Sequence, residues 1–329
     1  MKNITSFEEI YEEIRIKNEL QLNELYIEAK KESKKRNRIA LAVCIIIDII
    51  GILIVLMNIK NNNINMQIIE DDFMMCFPII FPVLFMNIIF YLVISLFFTK
   101  RIKEYSKKFK ELVIKDLLLY FYEDLVYMPG EGLNNQVYND VKYNEYYNRY
   151  ASDDYIKAKL DNKYDVEMAE ILTQKVETHT DSKGRSHTTT TTIFSGLFAK
   201  IKIDKSIKTK LKIKQNLSFS NSKRLNMDSQ EFEKHFDVSS ENKIIGMQIL
   251  TSDVMEKLVQ FYKSSGIKYD IIIDNDIIYL RFHCGRMFET GGLKKGAIPK
   301  ETLNKYYNIL RFIYGLTTDI IKTIHDVEI

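Results

Sequence analysis

The chain is poor in the residues that mark several common classes. Its three cysteines, Cys44, Cys76 and Cys284, are too few to staple a secreted disulfide scaffold. Four prolines and twelve glycines in 329 residues exclude repetitive fibrous chains. Net charge is nearly absent, because 47 Lys+Arg against 44 Asp+Glu leave only +3. That balance excludes nucleic-acid binding driven by bulk charge. The patterns of a phosphate loop (G-x-x-x-x-G-K-[ST]), a zinc protease (H-E-x-x-H) and a hydrolase elbow (G-x-S-x-G) are also missing from the sequence. Wholesale disorder is excluded by what the chain does have, a 46% apolar content. Its length suits one to three domains.

The apolar residues are unevenly spread. From Ile39 to Ile59 the sequence reads IALAVCIIIDIIGILIVLMNI, with Asp48 its single charge, and Phe73 to Thr99 carries none. Each run is long enough to cross a hydrocarbon core of about 30 Å as a helix. Core helices of soluble proteins seldom run so long without polar interruption. Nor does the first run resemble a cleavable signal, since 38 mostly polar residues precede it and it lacks a small-x-small site.

The flanks set an orientation. Lys30, Lys31, Lys34, Lys35, Arg36 and Arg38 precede the first run, and Lys100, Arg101, Lys103, Lys107, Lys108 and Lys110 follow the second. The connecting stretch offers Lys60 against Glu70, Asp71 and Asp72. Basic residues near span ends stay on the cytoplasmic side. The expectation is a two-helix hairpin in a bacterial inner membrane, with spans 39–59 and 73–99, loop 60–72 outside and both termini cytoplasmic.

Asp48 stands near mid-membrane in this arrangement. A central Asp costs about 2.5–3.5 kcal/mol of insertion, whereas the Ile, Leu and Val residues of the run return roughly 4–8 kcal/mol. Folding the spans about the loop brings Asn87 to nearly the same depth, so a hydrogen-bonded Asp48–Asn87 pair is expected. An ion pathway, or a contact between subunits of an oligomer, is the sharper alternative for Asp48. Pro78 and Pro82 fall in the outer half of the second span, where membrane helices tolerate proline.

Residues 1–38 read as an amphipathic helix. Ser6 and Glu9 fit a capping box. Ile4, Phe7, Tyr11, Ile14, Leu22, Leu25 and Ala29 recur at helical spacing, with Asn18 as a polar break. Beyond the second span, Ile102, Tyr105, Phe109, Leu112 and Leu119 keep that spacing to about Leu125, which predicts a helical stalk over 100–126. Met-Pro-Gly-Glu-Gly at 128–132 ends it.

Residues 127–329 read as a cytoplasmic α+β domain with mainly antiparallel strands. Strands are expected at Tyr164–Thr178, Ser186–Ile193, Phe194–Ile203 and Lys208–Lys214. Asp181-Ser182-Lys183-Gly184 reads as a hairpin turn, and a second hairpin, Tyr269–Asp274 with Ile277–His283, turns at Asn275-Asp276. Ser252 caps a helix to Ser264, and Pro299 opens a closing helix with one apolar face. Asp153, Asp154, Asp274 and Asp276 read as strand-end and turn residues. His179 and His187 face each other across the first hairpin, but nothing completes a metal site there. No catalytic set, cofactor or metal is implied.

Several segments carry a resemblance: Phe194-Ser195-Gly196-Leu197-Phe198, the run Asp228 to Val238 around Phe232 and Phe236, Leu250-Thr251 with Met255 to Leu258, and Met287-Phe288-Glu289. With two apolar runs before them and a helix after, they resemble the bacterial membrane-anchored "domain of unknown function 3137" family. The family supplies no activity. It implies a membrane anchor and, as a partner, a LemA-type membrane protein encoded nearby. Glu241 to Met247 departs from the acidic-basic stretch usual in the family. By their chemistry the motif residues are structural: Gly196 lets a backbone approach closely, and Phe194, Phe198, Phe232, Phe236 and Phe288 pack a core, with Phe232 and Phe236 sharing a helical face or closing a short helix onto it.

The function expected is a binding or scaffold module that presents the domain to a protein or lipid partner. The alternatives are an enzyme acting near the membrane and a small oligomeric channel subunit.

Overall fold

A computed structural model describes residues 6–61, 77–181, 184–215 and 224–327. They fall into two compact units, residues 18–109 with 292–298, and a second made of the chain up to Lys17, residues 110–291 and residues from Pro299 onward.

Helix α1 (Phe7–Asn61) runs unbroken for 55 residues through parts of both units. Its start is held by the capping box, Ser6 N–H donating to Glu9 Oε2 at 3.0 Å and Glu9 N–H to Ser6 Oγ at 3.4 Å. In the helical unit Leu22, Tyr26 and Ala29 are buried on one face of α1. The distal part of α1 buries little: Leu41, Ile45, Ile49, Leu53 and Met57 are each at least half exposed. It is the one helix among the described residues long and apolar enough to cross a membrane.

Helix α2 (Phe77–Phe97) contains Pro82 and likewise exposes Phe81, Leu84, Phe85 and Ile88. The chain breaks at Phe98 and Thr99, bends by 57°, and resumes as α3 (Lys100–Phe109). Only if this bent pair is taken as one span does it count as a second crossing. Tyr26 and Tyr105 donate to the carbonyls of Leu293 and Ala297, which ties loop 292–298 to α1 and α3. The predicted loop 60–72 lies almost wholly outside the described residues, as do Cys76 and the side chain of Pro78.

In the second unit a π-helical turn (Lys110–Ile114) leads into α4 (Lys115–Leu119) and then strand β1 (Glu123–Met128). The predicted stalk is therefore corrected: helix ends at Leu119, not near Leu125. Residues 123–128 satisfy an alternating pattern as well as a helical one, and an antiparallel neighbour settles the choice by pairing Val126 with Lys157. That neighbour is β2 (Arg149–Leu160), reached through α5 (Asn135–Asn139).

The long hairpin β3 (Tyr164–Thr180) and β4 (Ser186–Lys202) follows, then β5 (Lys210–Gln215), β6 (Arg224–Leu225), α6 (Gln230–Glu233), β7 (Phe236–Ser240), α7 (Lys243–Ile249), α8 (Ser252–Ser265), β8 (Tyr269–Asp274), β9 (Ile277–Phe282) and α9 (Lys300–Asp326). The described strands form one nine-stranded sheet, ordered β1-β2-β3-β4-β9-β8-β5-β7-β6, with every pairing antiparallel.

Both faces of the sheet are covered. Leu133, Tyr138, Val141 and Tyr143 pack with Ile171, Phe194, Phe198 and Ile272 on one face. On the other, α8 and α9 cover Tyr269 and Phe282, with the Phe261 and Phe312 rings stacked 3.7 Å apart. Beyond Gln174, β3 pairs only with β4 among the described residues, and β9 reaches β4 only from Leu197 onward. The tip of this hairpin is thus a two-stranded ribbon.

Smaller corrections follow from local chemistry. Thr251, not Ser252, caps α8, accepting from Val254 N–H. Pro299 stands one place before the first helical residue of α9. The Ser186–Ile193 and Phe194–Ile203 strands are one strand, continuous through a bulge opposite Thr173 and Gln174.

Candidate functional site

The predicted polar pair lies on the two apolar helices. Asn87 Nδ2 donates to Asp48 Oδ1 at 2.7 Å. Gly51, one turn further along α1, lets Val83 approach so closely that an added Cβ would lie 2.8 Å from its Cγ2.

The motif residues build core. Phe194 and Phe198 are fully buried against Tyr138, at ring distances of 6.0 and 5.4 Å. Between them, a Cβ on Gly196 would meet the Phe282 carbonyl oxygen at 1.8 Å, so only glycine fits there. Phe232 and Phe236 do not share a helical face. Phe232 sits in the single turn α6 while Phe236 opens β7, and their rings stack at 5.1 Å. Phe288 is buried with φ +57°, its ring edge-on to Tyr127 and Tyr306.

Two clusters of buried charge lie in the sheet unit. Arg281, on β9, donates in bidentate fashion to Glu145 at 2.6 and 2.7 Å, and to Asp270 and Tyr138. The Tyr143 ring lies 4.0 Å from its guanidinium carbon. Burial alone would lower its pKa, but the bond to Glu145 and the charge of Asp270 raise it instead. Every polar direction of the guanidinium is used, which marks a structural centre.

The second cluster surrounds a bulge in β2. Asp153 and Asp154 are not strand-end residues as their composition suggested. They lie mid-strand, where the β2–β3 register shifts, with Asp154 at φ +57°. Asp153 Oδ1 fixes the bulge by accepting from Gly130 N–H and Asp154 N–H, each at 2.9 Å. Asp154 has no exposed side-chain surface and accepts from Lys110 Nζ at 2.5 Å and Tyr127 O–H at 2.6 Å. Burial alone would lower the Lys110 pKa, yet the bond to Asp154 and the charges of Glu289 and Asp153 outweigh it. Carboxylate oxygens of Asp153, Asp154 and Glu289 converge within 4.8 Å, as a metal would need. Lys110 Nζ stands among them at 3.7, 2.5 and 3.4 Å, so the protein's own ammonium supplies the cation there.

Beside the bulge is an open cleft of about 450 Å³. Ala151, Ser195, Gly196 and Gly285 give it small walls, Leu172 adds apolar surface, and Arg286 stands at its edge. Glu170 also lines it, from β3. Its carboxyl is buried, the residue being 5% exposed, and its Oε1 has no hydrogen-bond partner. Burial first, and the charge of Asp154 next, push its pKa up to about 8. Arg286, largely exposed, bonds Asp153 at 3.1 Å and Glu289 at 3.0 Å and pairs more loosely with Glu170 at 3.8 Å. A buried acid with a shifted ionisation, lining a cleft, marks a candidate recognition or reaction site.

Sequence reasoning passed over Glu170 and Arg286, and read Lys110 as a membrane flank where the structure buries it against Asp154. A signal existed for Glu170, because alternation along β3 places it on the same face as the buried Tyr164, Val166 and Met168. His179 and His187 pair across the hairpin, both exposed. Asp274 bonds Lys210 at 2.6 Å.

No curated protein matches the chain. Among solved structures, the mycobacterial trehalose monomycolate transport factor A aligns with 45% of this chain and 74% of its own, at 7% identity and a TM-score of 0.24. Residues 192–322, from within β4 into α9, match the model of the family described as "Protein of unknown function (DUF3137)", the family that the sequence resembles.

Proposed function

We propose that this protein is a membrane-anchored binding module. In this reading the distal part of α1 and α2 cross a bacterial inner membrane as a hairpin, both termini stay in the cytoplasm, and the sheet domain offers the Glu170 cleft to a protein partner. The observation that carries it is the exposure of large apolar side chains around both helices, from Leu41 to Met57 and from Phe81 to Phe97. Water does not tolerate so large an apolar surface, whereas lipid does. The basic flanks support the orientation. A preformed cleft, its edge fixed by ion pairs to a bulge, suits recognition.

Two measurements test the reading. Alkaline carbonate extraction and protease protection of the native protein should leave it in the membrane pellet with the domain on the cytoplasmic face. Recovery in the supernatant would sink the anchor. In-cell crosslinking of the full chain, with residues 1–126 alone as control, should capture a protein that needs the domain, for which the family resemblance suggests a LemA-type membrane protein. Reproducible capture of nothing but the chain itself would overturn the module.

A further inference from the structure

The cleft favours a ligand of one sign. Lys110 is matched by Asp154, and Arg286 is shared among Asp153, Glu289 and, at 3.8 Å, Glu170, so four carboxylates stand against two cations. Inside, Glu170 Oε1 is buried and lacks a donor. The walls of Ala151, Ser195 and Gly196 leave room for a slender stem, with Leu172 as an apolar contact. We propose that the cleft binds a primary ammonium or guanidinium group on an unbranched alkyl stem, with Glu170 as the carboxylate that receives it. The inference rests on reading the domain as a binding module, and names the chemistry its partner presents. A lysine or arginine side chain of a protein carries such a group, and so does a free alkylamine.

The recognition is linked to a proton. A neutral Glu170 carboxyl releases its proton to water as the cation arrives, and the carboxylate formed pairs with the incoming charge. Several groups face Glu170. From β2 come Asp153 and Asp154, from the π-helical turn Lys110, and from β1 Tyr127. The loop after β9 brings Cys284, Arg286 and Glu289, and α9 brings Tyr306. Cys284, whose thiol burial holds up at about 11, stays neutral throughout.

The full-length chain in detergent micelles would be titrated calorimetrically with n-butylammonium, with a capped lysine-containing tripeptide, and with butyrate. Each titration would be run in two buffers of different ionisation heat, so that released protons are counted. One or both cations should bind with proton release, the affinity rising about tenfold from pH 6 to pH 7. Binding of both makes free amines competent ligands, and binding of the peptide alone assigns the site to a partner's side chain. Glu170→Gln should weaken binding about tenfold or more and erase the pH dependence. Ala151→Trp, which fills the cleft without touching a charge, should abolish binding. The inference is overturned by butyrate binding in place of the cations, by no binding of either cation, or by unchanged binding to Glu170→Gln. Membrane extraction is independent of these titrations, so a failed titration leaves the anchor standing and a failed anchor leaves the titration readable.

Discussion

Arg281 and Glu170 are buried ionisable groups on strands of one sheet, separated by β4 alone, and the fold treats them in opposite ways. Arg281 receives two carboxylates, a phenol and an aromatic face, and its charge is fully matched. Glu170 is given no donor for one oxygen and lies beside open space. Closed satisfaction serves stability, because a buried ion that has its partners holds one arrangement of the chain. Open dissatisfaction carries a cost that stability alone does not justify, and it recurs where a protein meets a ligand. Lys110 and Asp154 stand between these cases, a matched pair at the edge of the half-satisfied acid.

Breaking the closed centre should have the largest effect. Arg281→Met removes the guanidinium shared by Glu145 and Asp270, and should cost about 3–5 kcal/mol of stability. Thermal unfolding of the full chain in detergent measures it, and a loss under about 1 kcal/mol would show that the cluster is less closed than its geometry states. Breaking the open centre should act in the other direction. Glu170 has a folded pKa of about 8 against an ordinary 4.5, so the folded chain keeps a proton that the unfolded chain has released. Its cost is absent below the lower value, grows as pH rises between the two, and is complete above about 8. Glu170→Gln should therefore match the native chain at pH 4 and exceed it by about 2–4 kcal/mol at pH 8.5. Equal melting temperatures at both pH values would remove the contrast with Arg281. The smallest effect is expected between the two, where Tyr127→Phe takes one of two hydrogen bonds from Asp154 and should cost about 1–2 kcal/mol. A cost as large as that of Arg281→Met would make the phenol, not Lys110, the principal partner of Asp154.

What could be read from the sequence follows the range of the interactions involved. The hairpin at Asn275, the closing helix and the apolar runs depend on neighbours a few residues apart, and spacing alone reveals them. The end of the stalk depends on β2, whose pairing with residues 123–128 no local pattern encodes. The site was legible in fragments only. Asp153 and Asp154 read as turn residues, yet they form a bulge in which Gly130 and Arg286 hold Asp153 while Lys110 and Tyr127 hold Asp154. Glu170 is made unusual by its burial and by Asp154 at the β2 bulge, so its chemistry exists only after folding. The aromatic motif segments, by contrast, announced a core and are buried in one.

The β3–β4 hairpin carries a final consequence, in time and not in space. Ala199 lies on β4 where β3 and β9 flank it and its side chain is buried, whereas Thr190, on the same strand, has only β3 beside it and is exposed. Opening the ribbon disturbs no core, while freeing Ala199 requires the sheet to come apart. Amide hydrogen exchange along this single strand should therefore run from fast near Thr190 to the slowest the domain displays near Ala199, so that one strand holds both the first and the last part of the domain to open.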